Sequence, residues 1–83
     1  MKYLNLGFKL RQTRGDNSAI EFIRKTGLKI SKQYLSYAES GQTKLAFKHI
    51  KQICLSLSLC DAEFKKAYLK DMSVYFDEKM GPN

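Results

Sequence analysis

Apolar residues recur along this chain at intervals of three and four, and no stretch alternates apolar with polar as a half-buried strand would. One proline, at position 82, and five glycines leave little to interrupt helices. The pattern therefore predicts five helices. The first spans Leu4 to Arg14, with Leu6 and Leu10 on one face, and the cluster Gly15-Asp16-Asn17 turns the chain. Ser18 reads as an N-cap with Glu21 three residues on, the spacing of a capping box. Helix two then runs from Ser18 to about Thr26, burying Ile20, Phe22 or Ile23, and Gly27 ends it. Ser31 caps a third helix from Lys32 to about Glu39, which buries Leu35 and Ala38 and closes at Gly41. The fourth covers about Thr43 to Leu57, with Phe47, Ile50, Ile53 or Cys54, and Leu57 inward. Asp61 is the expected cap of a fifth, about Ala62 to Lys79, whose stripe is Phe64, Tyr68, Met72, Tyr75 and Phe76. The expectation is an all-α fold in a single domain over residues 1–80. Residues 1–60 form its core, 61–80 its C-terminal helix, and 81–83 a frayed tail.

At 83 residues and 9.6 kDa, two independent cores do not fit, while 43% hydrophobic residues suffice to close one. No apolar run is long enough for a transmembrane helix, and the N-terminus lacks the pattern of a secretory signal. A cytosolic protein is expected. The net charge of +7 is unevenly placed. Residues 1–51 hold eleven Lys/Arg against three acids, an excess of +8, whereas residues 52–83 hold four Lys against five acids, or −1. Such segregation points to a polyanion met by the N-terminal part, the alternative being a basic surface that only confers solubility.

Little in the chain speaks for catalysis or metal binding. Cys54 and Cys60 stand six apart and His49 is the lone histidine, too few ligands for a structural zinc site. The cysteines read as two buried free thiols, the alternative being a disulfide between them. The spacing suggests no nucleophile–base pair, and no glycine-rich phosphate loop is present. No enzyme activity and no cofactor are expected.

The informative stretch is Gly27 to Gly41, GLKISKQYLSYAESG. A short helix ends at a glycine; a serine then caps a second short helix, which ends at Glu-x-Gly. Two short helices joined by a tight turn are the helix-turn-helix unit, whose second helix enters the DNA major groove. The segment Ile30 to Gly41 resembles the recognition helix of the XRE family, the prokaryotic and phage regulators that include the Cro and repressor proteins of lambdoid phages. Leu6 to Arg14 resembles that family's first helix, and Ile50 to Leu59 its fourth helix and the apolar close after it. The likeness covers residues 6 to about 69. It departs from the family in helix two, where the apolar pair Phe22-Ile23 replaces Leu-Ala and arrives about two residues early. The turn Gly27-Leu28-Lys29-Ile30 is correspondingly long.

The resemblance implies a lambda-repressor-like, five-helix helix-turn-helix bundle with an extended C-terminal helix. It further implies that Lys32, Gln33, Ser36 and Tyr37 face base edges, roles that their chemistry suits: glutamine bonds adenine in a bidentate way and lysine donates to guanine. The bland alternative is the solvated face of a short helix. Gln42, Thr43 and Lys44, leading into helix four, are expected at the DNA backbone, where a helix N-terminus and a lysine charge suit a phosphate. Ser31 and Ser18 would combine capping with a phosphate bond, the cap coming first at Ser18. Tyr34 would pack beside Leu35, with a phosphate contact as its lesser role. By the same resemblance Arg14 and Glu39 form a structural ion pair, the alternative being a phosphate contact from Arg14. Arg24, Lys25 and Lys29 read as solvated side chains or as general phosphate attraction, not as specific readers.

The expected function is a sequence-specific double-stranded-DNA-binding transcriptional regulator, repressing by covering an operator as a homodimer. The dimer contact is placed on Phe64, Tyr68, Met72, Tyr75 and Phe76 of helix five, because two half-sites multiply specificity. Contact with RNA polymerase would allow activation instead. The rival reading is a protein-interaction module, such as an antitoxin-like binder using helix five. RNA is the weaker polyanion, since its deep, narrow major groove does not admit a reading helix.

Overall fold

The computed structural model describes residues 3–81. It folds into five helices, α1 (Leu4–Arg14), α2 (Ala19–Thr26), α3 (Lys32–Glu39), α4 (Phe47–Leu57) and α5 (Ala62–Met80), and the described residues contain no strand. None of these helices is long and apolar enough to cross a membrane. Of the tail expected at 81–83, Gly81 follows α5 as its C-cap and residues 82–83 lie outside the described residues.

The local signals of the central helices act as their chemistry requires. The Ser18 hydroxyl accepts from the Glu21 amide at 3.2 Å, and the Glu21 carboxylate accepts from the Ser18 amide at 3.4 Å. Gly27 stops α2 in a left-handed conformation, φ 71°, which a residue with a Cβ rarely adopts. The Ser31 hydroxyl accepts from the Tyr34 amide at 3.0 Å and so starts α3.

One boundary and one cap differ from expectation. Helix α4 begins at Phe47, not near Thr43, and residues 42–46 form a loop. The reason is Leu45, which is fully buried. Continued as helix at 100° per residue, it would stand roughly 130° from the mean direction of Ile50, Ile53 and Cys54; an irregular loop turns it into the core instead. At the start of α5, Asp61 makes no side-chain cap, and its own backbone is already helical, with its carbonyl accepting from Lys65 at 2.9 Å.

The core is one cluster centred on Leu6, Leu10, Phe22, Leu35, Ile53 and Phe64. The long turn after α2 contributes to it, because Leu28 is buried and Ile30 packs against it. Ile20, one of the inward candidates of α2, is exposed. Of the two cysteines, Cys54 is buried and its thiol is pushed up by that burial, but Cys60 is exposed; both are free. Cys60 follows the left-handed Ser58 that ends α4, so it belongs to the connection rather than to a packed face.

Helix α1 is held from two sides. Gly7 lies against the end of α3, where a Cβ would come within 2.5 Å of the Ala38 carbonyl oxygen and 2.6 Å of that of Glu39. Tyr3, its N-cap, offers no side-chain acceptor. The carboxylate of Asp71, from the middle of α5, does so instead: it accepts from the Asn5 and Leu6 amides, each at 2.8 Å, and from the Asn5 side chain at 2.9 Å. Asp71 is only 3% exposed. A buried anion thus satisfies otherwise orphan amides at the positive end of α1.

Candidate nucleic-acid interface

Helix α3 has two distinct sides. Leu35 and Ala38 are buried, and Tyr34 is half-buried with its ring edge-on to His49 at 5.8 Å. On the other side Lys32, Gln33, Ser36 and Tyr37 are all exposed, and Ser31 is exposed just before them. These four residues fall at i, i+1, i+4 and i+5, which a helix gathers onto one face.

The face is partly ordered within itself. The Gln33 amide nitrogen donates to the Tyr37 hydroxyl at 2.9 Å. One N–H and the carbonyl oxygen of Gln33 remain uncommitted, which is the pair of groups that a bidentate contact to adenine requires.

The acid of α3 is drawn away from this face. Arg14 Nε donates to Glu39 Oε2 at 2.6 Å and Arg14 Nη2 to Glu39 Oε1 at 3.0 Å, a two-pronged contact. The side chains are 23% and 11% exposed. The hydrogen bond that Arg14 donates to Glu39 raises the guanidinium above its ordinary value, with burial opposing. Arg14 also donates to the Asn17 carbonyl at 2.9 Å, and the Asn17 side chain donates back to the Arg14 carbonyl at 3.0 Å. So Arg14 is engaged internally and joins the ends of α1 and α3. With Glu39 neutralised there, the exposed charges at and just before α3 are Lys29 and Lys32.

The expected backbone-contacting residues stand differently from each other. Gln42, Thr43 and Lys44 lie in the loop and not on a helix N-terminus, since α4 starts further on. The amides of Gln42 and Thr43 both donate to the Tyr37 carbonyl, at 3.0 and 3.4 Å, closing α3. The Tyr34 hydroxyl donates to the Lys44 carbonyl at 3.2 Å, so it holds this loop. The Lys44 ammonium rests 4.1 Å from the centre of the Phe47 ring and 5.4 Å from that of Tyr68. Ser18 is exposed at the start of α2 with its hydroxyl accepting in the capping box.

The stripe expected as a dimer contact is divided. Phe64, 1% exposed, is core. Tyr68 packs against the core and meets Phe47 edge-on at 5.3 Å, Met72 and Tyr75 are half-buried, and Phe76 alone of the five is exposed. This is the side of α5 on which Asp71 reaches α1, and that contact turns it inward.

Several supporting residues carried no sequence signal. Asp71 is one. Gln52 and Ser56 of α4 are two more: both donate to the Thr26 carbonyl at 2.8 Å and fasten the end of α2. Their i, i+4 spacing marks a common helical face but cannot name its partner. An apolar groove lies apart from the α3 face, between α4 and α5. No family model, characterised protein or solved structure matches the chain.

Proposed function

We propose that the chain is a sequence-specific double-stranded-DNA-binding regulator, with α2 and α3 as a helix-turn-helix unit and α3 as the helix that enters the major groove. The observation that carries the reading is the outward face of α3: Lys32, Gln33, Ser36 and Tyr37 are exposed together on a helix whose other side is locked into the core. The resemblance of residues 6 to about 69 to the XRE family supports it. So does the +8 excess of residues 1–51, which provides the salt-dependent attraction that any duplex reader needs. Phosphate contacts would fix the register, from Ser31 and Lys44 above all, while the α3 face reads base edges. Binding as a homodimer to two half-sites would supply the specificity that one short helix lacks, and covering a promoter would repress.

The test is selection of bound duplexes from a random library at about 150 mM salt, where weak surface attraction is largely screened. Enrichment of a motif with two related half-sites is the expected result. Sequence-blind binding, or none, overturns the reading.

A further inference from the structure

We infer that the homodimer forms by antiparallel, two-fold pairing of α5, with the apolar C-terminal end of one copy seated in the α4–α5 groove of the other. The inference rests on the dimeric form of the reading above and identifies its surface. The groove, of about 770 Å³, is lined by Leu55, Leu59 and Leu69 among others, and lies beside the N-terminal half of α5. From Leu69 to its C-terminal end the same helix carries unpartnered apolar groups. Leu69, Phe76 and Met80 are 54%, 62% and 61% exposed, and half-buried Met72 completes a stripe at spacings of three, four and four. Socket and plug therefore sit at opposite ends of one helix. Antiparallel pairing about a two-fold axis near residues 72–73 sets Leu69 against Phe76 of the second copy. It also brings Met80 of that copy over the groove and does the same in reverse. Such a contact closes on itself and leaves no free end.

Charge selects the direction and the occupant. Flanking the stripe on one side are Lys66, Lys70, Ser73 and Asp77, at spacings of four, three and four. All four are exposed. In an antiparallel pair this flank faces its own counterpart reversed, so Lys66 comes within reach of Asp77 of the second copy, twice per dimer. A parallel pair would oppose like charges.

The experiment is sedimentation equilibrium of the full chain without DNA over micromolar concentrations. The wild type is expected to be a dimer, and Phe76→Glu a monomer with unchanged helix content, because Phe76 takes no part in the core; its melting temperature should not depend on concentration, whereas that of the wild type should rise with it. Lys66→Glu and Asp77→Lys should each weaken the dimer about threefold to tenfold, and the double exchange should restore it. A monomeric wild type, a dimer indifferent to Phe76→Glu, or a double exchange that fails to restore association overturns the proposal. The measurement involves no DNA, so its failure is distinct from failure of the duplex selection.

Discussion

At the scale of single residues, Glu39 does two things: it ties α3 to the end of α1, and it keeps a negative charge off the outward face of α3. Removing it leaves Arg14 without its main partner in a partly buried place. Glu39→Ala should lower stability by about 2 kcal/mol, between the small worth of exposed pairs and the 3–5 kcal/mol of fully buried ones. Thermal denaturation checks this, and an unchanged melting temperature denies the structural role. Gln33 and Tyr37 make a second pair whose partners serve different ends. Gln33→Ala should cost about 1–3 kcal/mol on the selected duplex and little on random DNA. Tyr37→Phe keeps the ring but removes the acceptor that holds the Gln33 amide. It should reduce discrimination by about 1 kcal/mol at the base pair that Gln33 reads, with the melting temperature unchanged. Competition binding with single-base variants of the site separates the two. The ion pair was expected from resemblance alone, whereas the Gln33–Tyr37 bond was not foreseen, because i, i+4 spacing permits many pairings and the rotamers choose among them.

At the scale of elements, α1 depends on groups distant in the chain. Asp71→Ala should destabilise by about 2–3 kcal/mol, since it strands two amides at the start of α1. Asp71→Asn, which keeps an acceptor, should lose less. Thermal melts give the sum, and faster hydrogen exchange at Asn5 and Leu6 locates the effect. Gly7→Ala is the converse case. Alanine favours an isolated helix by about 1 kcal/mol over glycine. Here its methyl would press on the carbonyls of Ala38 and Glu39, and neither backbone can yield without parting α1 from α3. A net loss of about 1–3 kcal/mol is expected in denaturant titration, and a gain in stability would deny the close approach. Neither role is visible in the local pattern, which shows only a glycine inside a helix and an acid inside another. The later start of α4 has the same origin: Thr43-Lys44-Leu45 is compatible with a helix, and only the demand to bury Leu45 unwinds it.

At the scale of the molecule, the positive excess and the apolar groove overlap little. Of the eleven Lys/Arg of residues 1–51 that carry the excess, Lys51 alone lines the groove between α4 and α5. This division suits a protein that meets a polyanion with one part and a second copy with another. Lys44 lies between them, its ammonium resting on Phe47 and Tyr68. If it contacts phosphate, Lys44→Ala should weaken binding to every duplex alike and flatten the dependence of log K on log salt by about one unit. Titrations at several salt concentrations measure this, and an unchanged slope removes Lys44 from the interface.

Local chemistry accounts for everything that could be read before the chain is folded. The number and kind of helices follow from the spacing of apolar residues. The stops and starts around α2 and α3 follow from Ser18, Gly27 and Ser31, whose partners lie within four residues. The segregation of charge is a matter of counting. Packing settles which side of α5 is buried, that Phe64 is core, that Asp71 serves α1, and that residues 42–46 are a loop. Each of these turns on a contact between segments far apart in the chain. Burial of Leu45, and of a carboxylate at a helix end, is worth more than the local preference it overrides.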